Sequence, residues 1–172
     1  CKLTENSFRD VNIAFANELS VICDEIDVSV WELIKLANYH PRVDILQPGP
    51  GVGGHCIAVD PWFIVDSAPE SAKIIRLARE INDSKPYYVI SKVKNEIRGL
   101  KAPVIACLGL AFKPNVDDLR ESPALEIVKR LAEDKVGDLM IVEPNIQSLP
   151  LTLNHYANVK FTGLNIAIAK AD

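Results

Sequence analysis

The 172 residues carry 19 Lys+Arg against 23 Asp+Glu, a formal charge of −4, and 48% of them are hydrophobic. That composition excludes a disordered tail, and the mildly acidic balance argues against a nucleic-acid-binding face. No run of about 18 apolar residues is present, so no membrane-spanning helix is expected.

The only methionine is Met140 and the chain opens at Cys1 inside a helical pattern, so it reads as a piece of a longer protein. Four cysteines, at 1, 23, 56 and 107, include no Cys-x-x-Cys pair and are too sparse for a disulfide framework. Reduced thiols and a cytoplasmic location are the expectation.

In chain order, Phe8, Val11, Phe15, Leu19, Ile22 and Ile26 recur at gaps of three and four, which predicts a first helix with this stripe buried. Lys2, Asn6 and Arg9 share a different face of the same helix and, from spacing alone, read as solvated polar residues. Ser29 with Glu32 three residues on predicts a capped second helix that ends near Asn38, before Pro41. From Pro41 to Pro61 the chain holds four Pro (41, 48, 50, 61) and four Gly (49, 51, 53, 54), the texture of a shaped loop in which functional residues concentrate. Asp60-Pro61 opens a short helix.

Helical character returns from Glu70 to Arg98, with a kink or break expected at Pro86. Such a helix spans roughly 40 Å at 1.5 Å per residue and, with the first, offers more apolar surface than a small helical layer covers. A hairpin folded at Pro86 is the alternative. Gly99 to Pro103 reads as a boundary. Beyond it, an apolar strand (104–109), a helix opened by Ser122-Pro123 with Gly137 past its end, a second strand (139–142) and a short third (159–161) predict a parallel βαβ unit. Residues 164–172 read as a helix about to hand over to a strand. The fold class is α/β overall: an all-helical domain, 1–100, then a parallel-sheet domain, 101–172.

Cys56 leads the candidate chemistry, because Gly51-Val52-Gly53-Gly54-His55-Cys56 lets a ligand approach closely and a helix N-terminus downstream would favour its thiolate. The alternative is a small buried hydrophobe, the assignment given to Cys23 and Cys107. Adjacent His55 and Cys56 make a poor protease dyad, and His40, His55 and Cys56 lack zinc-ligand spacing, so no metal is expected. Asp60, just before a proline, is also a natural N-cap. Gly109-Leu110-Ala111-Phe112-Lys113-Pro114 follows a strand but lacks the Gly-x-Gly-x-x-Gly of a dinucleotide turn, leaving Lys113 and Arg120 as candidate oxygen-binding cations.

Taken together, Cys1-Lys2-Leu3-Thr4-Glu5-Asn6-Ser7-Phe8, then Pro48-Gly49-Pro50-Gly51-Val52-Gly53-Gly54-His55-Cys56 with Asp60-Pro61, then Gly109-Leu110-Ala111-Phe112-Lys113 with Arg120-Glu121-Ser122, resemble the UDP-glucose/GDP-mannose dehydrogenase family over essentially the whole chain. Residues 7–12 and 57–64 look most like the branch that acts on UDP-N-acetyl-D-mannosamine. The resemblance implies NAD-dependent four-electron oxidation of a UDP-sugar to its uronic acid, for bacterial surface polysaccharide. It makes Cys56 the nucleophile, Lys2 the oxyanion-stabilising lysine, Asn6 its partner, and Asp60 the carboxylate that positions lysine and water. It places Arg9, His40, Arg42, Gly53, Phe112 and Lys113 on the nucleotide sugar, with Arg42 reaching a neighbouring subunit, and Arg120 near NAD. It also implies a homodimer built by the helical domain, an incomplete Rossmann-like UDP-binding domain, and an N-terminal NAD-binding domain that these residues lack. Runner-up readings are a non-catalytic dimerisation and sugar-binding fragment, a UDP-glucose or UDP-N-acetylglucosamine dehydrogenase, and, more remotely, a 6-phosphogluconate-dehydrogenase-like enzyme.

Overall fold

The first helix, α1 (Lys2–Glu25), turns inward a face that is not its most apolar one. Its buried residues are Ser7, Asp10, Ala14, Ala16, Asn17 and Cys23, whereas Phe8 stands 69% exposed, with Phe15, Ile22 and Ile26 exposed along the same stripe. The expectation that Phe8 to Ile26 would be buried is corrected: within this chain that stripe faces outward. The cause is polar. Arg79, Asn82 and Lys85 are buried on α4 (Lys73–Glu96), and a buried polar group left without a partner costs about 1–3 kcal/mol. Asp10 and Asn17 supply those partners, as phenylalanine cannot. The Arg79 guanidinium donates to Asp10 Oδ1 at 2.6 Å, Asn82 Nδ2 donates to the same oxygen at 2.8 Å, and Asn17 Nδ2 donates to Asn82 Oδ1 at 2.8 Å. Arg79 also pairs with Asp83, and Lys85 donates to Ser20.

This computed structural model describes residues 1–172, which divide into two compact units, Cys1–Lys85 and Pro86–Asp172. In the first, α1 ends in a left-handed residue, Asp27 at φ 56°, and Val28 N–H bonds back to the Cys23 carbonyl at 2.8 Å. That reversal leads into α2 (Val30–Ala37), whose N-cap Ser29 accepts from Glu32 N–H at 3.4 Å, as its sequence predicts. The shaped loop then runs to α3 (Asp60–Ser67), which packs on α1. Pro86 does not break α4. It withholds the N–H that would reach the Asn82 carbonyl, yet the helix continues through 24 residues, about 36 Å. The hairpin alternative is thereby excluded. No helix is long and apolar enough to cross a membrane.

The second unit takes Ile90, Val89 and Val93 from the end of α4 into its core, which is why the compact units divide at residue 85 while the sequence texture changes at 99–103. Strands β1 (Val104–Leu108), β2 (Asp138–Val142) and β3 (Val159–Phe161) form a parallel sheet in the order β1-β2-β3, with Ala106 opposite Met140 and Met140 opposite Lys160. Helix α5 (Pro123–Glu133), capped by Ser122, connects β1 to β2 and buries Ile127, Val128 and Leu131 against Leu139 and Ile141. The left-handed residue after α5 is Lys135, φ 51°, not Gly137. Gly137 is needed for a different reason: a Cβ there would lie 2.2 Å from the Pro103 carbonyl oxygen. Helix α6 (Leu164–Lys170) follows, and Asp172 N–H bonds the Val104 carbonyl at 3.0 Å beside β1.

Glu143, at the end of β2, ties this unit together. One carboxylate oxygen accepts from Leu110 N–H at 2.8 Å and Ala111 N–H at 3.1 Å, the other from Asn145 N–H at 3.0 Å and Asn145 Nδ2 at 2.9 Å. Desolvation opposes the charge, but the four hydrogen bonds outweigh it and hold the carboxyl below its ordinary 4.5. A depressed carboxyl stabilises the fold above its unfolded pKa and loses that contribution as pH falls through the folded value. Glu143→Gln is expected to cost about 2 kcal/mol at pH 7 in urea unfolding. The gap to wild type should close on acidification below pH 4.5.

Candidate active site

Lys2 and Asn6 lie one turn apart at the start of α1 and converge on a single carboxylate in the first turn of α3. Asn6 Nδ2 donates to Asp60 Oδ2 at 2.6 Å, and the Lys2 ammonium sits 3.4 Å from the same oxygen. Asp60 is buried and Lys2 is exposed. The expectation that Asp60 would cap the helix is corrected: Val59 holds the N-cap position and no side chain caps it. The carboxylate is turned to Lys2 and Asn6 instead.

Cys56 stands one turn before this group and is half-buried. Its carbonyl accepts from Val59 N–H at 3.1 Å and Asp60 N–H at 2.7 Å, so the first donors of the α3 N-terminus go to the Cys56 backbone. The Lys2 ammonium is held above its ordinary 10.5 chiefly by the hydrogen bond to Asp60, then by the Asp60 charge, then by the charge of Cys56. It therefore keeps its proton throughout the neutral range. The loop reaches Cys56 through Gly51 (φ 142°) and Gly54 (φ 81°), conformations that L side chains rarely adopt. Upstream, the Asn38 side chain clamps both the N–H and the carbonyl of Ile45, at 2.8 and 3.0 Å.

Of the other expected residues in this unit, Arg9 is exposed on α1, and exposed His40 accepts from Arg42 N–H through Nδ1 at 3.2 Å. Gly53 lies in the loop, half-buried. Cys23 is buried. In the second unit, Lys113 Nζ stands 5.4 Å from the Phe112 ring centroid, and the Arg120 guanidinium is held by Asp118. Burial pushes the Cys107 thiol up to about 11, consistent with a small apolar role.

A cavity of about 630 Å³ opens at the C-terminal ends of β1–β3, lined by Leu108, Gly109, Glu143, Phe161 and Thr162. The second unit does not carry a dinucleotide-binding turn of its own. Its first strand is not followed by a glycine-rich turn, and both oxygens of the acid at the end of β2 are occupied by the protein's own N–H groups.

Two features escaped sequence reasoning. Asp10 and Asn17 continue the polar face of Lys2 and Asn6 along α1, a spacing that was available; their partners on α4, Arg79 and Asn82, lie more than 60 residues away. Glu143 gave no signal beyond its place at a strand end.

The profile of the UDP-glucose/GDP-mannose dehydrogenase family, central domain, matches residues 1–84, and that of the family's UDP binding domain matches residues 106–172. The chain belongs to the UDP-glucose/GDP-mannose dehydrogenase family. Among family relatives, the NDP-N-acetyl-D-galactosaminuronic acid dehydrogenase of Ralstonia nicotianae is 64% identical over 100% of this chain and 40% of its own length. The UDP-N-acetyl-D-mannosamine dehydrogenase of Campylobacter jejuni is 64% identical over 99% of this chain and 42% of its own. The solved UDP-N-acetyl-mannosamine dehydrogenase Cap5O of Staphylococcus aureus superposes with a TM-score of 0.78 at 48% identity, covering 86% of this chain and 35% of that one. The chain thus spans about two-fifths of the length of these curated relatives.

Asp60→Asn removes the two largest causes of the raised Lys2 pKa. Titration of Lys2 by NMR, or its acylation rate against pH, should then return toward 10.5, with deprotonation beginning at lower pH than in wild type.

Proposed function

We propose that these residues are the nucleophile-bearing and UDP-binding part of an NAD-dependent dehydrogenase that oxidises the C6 alcohol of UDP-N-acetyl-D-mannosamine to the carboxylate. The carrying observation is the cluster of Lys2, Asn6 and Asp60 one helical turn from Cys56. Alcohol to carboxylate is a four-electron change, so two NAD are reduced and one water is consumed. NAD is taken by a domain outside these 172 residues.

This chain's own groups account for the covalent part. The Cys56 thiolate adds to the aldehyde carbon, forming a C–S bond and placing the electron pair on oxygen. The Lys2 ammonium and Asn6 amide stabilise that oxyanion, as preorganised donors do. The oxidised adduct is a thioester. Water, oriented by Asp60, attacks its carbonyl; the C–S bond breaks and the thiolate of Cys56 is the leaving group. Arg9, His40, Arg42, Gly53, Phe112 and Lys113 hold the nucleotide sugar, and Arg120 faces NAD. Four free thiols suit a reducing cytoplasm.

A second reading of the sugar rests on the equally similar Ralstonia relative, whose name carries an N-acetylgalactosaminuronic acid. The two names share an N-acetylated amino sugar. By themselves, the 172 residues bind nucleotide sugar without turnover.

The exposed stripe of Phe8, Phe15, Ile22 and Ile26 on α1, with Ile74 and Leu77 on α4, supports a homodimer. Light scattering at tens of micromolar should give a dimer mass, and Phe8→Glu with Phe15→Glu should give a monomer; a monomeric wild type removes the proposal.

In the full-length enzyme, Cys56→Ser should abolish both uronic acid formation and thioester accumulation. Near-normal turnover would exclude the covalent path. The same assay, run on each UDP-sugar, separates the two sugar readings by kcat/KM.

A further inference from the structure

The catalytic reading uses Lys2, Asn6, Cys56 and Asp60, and leaves unexplained a polar network deeper in the same unit. Asp10, Asn17, Arg79 and Asn82 are each at most 1% exposed. They form one connected chain: Arg79 to Asp10, Asp10 to Asn82, Asn82 to Asn17. Both ends of that chain leave the helices and grip the loop. Asn17 Oδ1 accepts from Gly49 N–H at 2.8 Å, and Arg79 Nη1 reaches the Ile57 carbonyl at 3.5 Å. Gly49 and Ile57 bracket the segment that carries Cys56.

Stability does not account for the network. Asp10 Oδ2 and Arg79 Nε are buried without a partner, and burial pushes the Asp10 carboxyl up despite the pull of Arg79. Well-packed apolar residues often replace such an ion pair with neutral or favourable effect. What apolar residues cannot supply is an acceptor for Gly49 N–H or a donor for the Ile57 carbonyl. Asp10 and Asn17 also stand on α1, the helix that carries Lys2 and Asn6. A rigid helix with fixed attachments to the loop sets the separation between oxyanion donors and nucleophile.

We propose that the buried quartet Asp10, Asn17, Arg79 and Asn82 positions the Cys56 thiol against Lys2 and Asn6, by pinning both flanks of the 49–57 loop to α1 and α4. These are positioning residues, and the proposal rests on Cys56 being the nucleophile.

The test uses the full-length enzyme. Asn17→Leu removes the acceptor for Gly49 N–H and is expected to lower kcat about 100-fold, the scale of a misplacement of about 1 Å. KM for the UDP-sugar should change less than about threefold, because transition-state geometry is lost and ground-state binding is not. Asn17→Asp keeps the acceptor for Gly49 N–H but gives up the donor to Asn82 Oδ1, so it should recover part of the lost kcat, about tenfold. Equal kcat for the two variants, corrected for the folded fraction, or a loss confined to KM, overturns the proposal. If Asn17→Leu does not fold, Arg79→Lys carries the test. It keeps a charge beside Asp10 but shortens the reach to the Ile57 carbonyl, so the same fall in kcat is expected and a wild-type kcat overturns the proposal. Cys56→Ser run alongside separates the two readings. Its full turnover removes the nucleophile; an inactive Cys56→Ser beside an Asn17→Leu enzyme of wild-type kcat removes the positioning role alone.

Discussion

An aspartate and an arginine withdrawn from water together decide which way the first helix faces. Asp10 and Arg79 are 0% and 1% exposed, and neither is tolerable in the interior without the other. Once they meet, the rotation of α1 about its axis is fixed. Ser7, Ala14 and Asn17 follow Asp10 inward, and Phe8 and Phe15, on another side of the helix, are left uncovered by this chain. The same rotation aims Lys2 and Asn6 at Asp60. One buried ion pair thus governs both the outer apolar surface and the inner polar cluster.

The local signals in the sequence were mostly legible. Ser29 and Ser122 cap the helices their spacing predicts, because an N-cap depends only on residues within one turn. The parallel strand–helix–strand order followed from apolar runs and punctuation, and Lys2 with Asn6 shared a face by arithmetic. The face that α1 buries was not legible in the same way. Periodicity reports that Phe8 to Ile26 forms a continuous apolar stripe; it does not say that this chain's own atoms cover it. The buried partners, Arg79 and Asn82, lie too far along the chain for any local pattern to register. Gly137 was misread for a related reason: its lack of a side chain serves an approach to Pro103, not the end of α5.

Within the polar cluster, one carboxylate oxygen serves two neighbours. Asp60 Oδ2 receives the Asn6 amide and faces the Lys2 ammonium. The amide is held closely by a buried acceptor, while the ammonium is exposed and on a longer contact. A tethered amide and an exposed cation make different contributions to any anion brought between them: direction from the first, charge from the second.

Helix α4 is continuous in its backbone and divided in its packing. Up to Lys85 its buried side chains, Ala78 apart, are polar and answer to α1; from Pro86 onward Val89, Ile90 and Val93 answer to an apolar core around β2 and α5. At the changeover the ladder lacks one rung, since Pro86 has no N–H for the Asn82 carbonyl. The side chains of this one helix are thus anchored in two different compact units, a polar set before Pro86 and an apolar set after it.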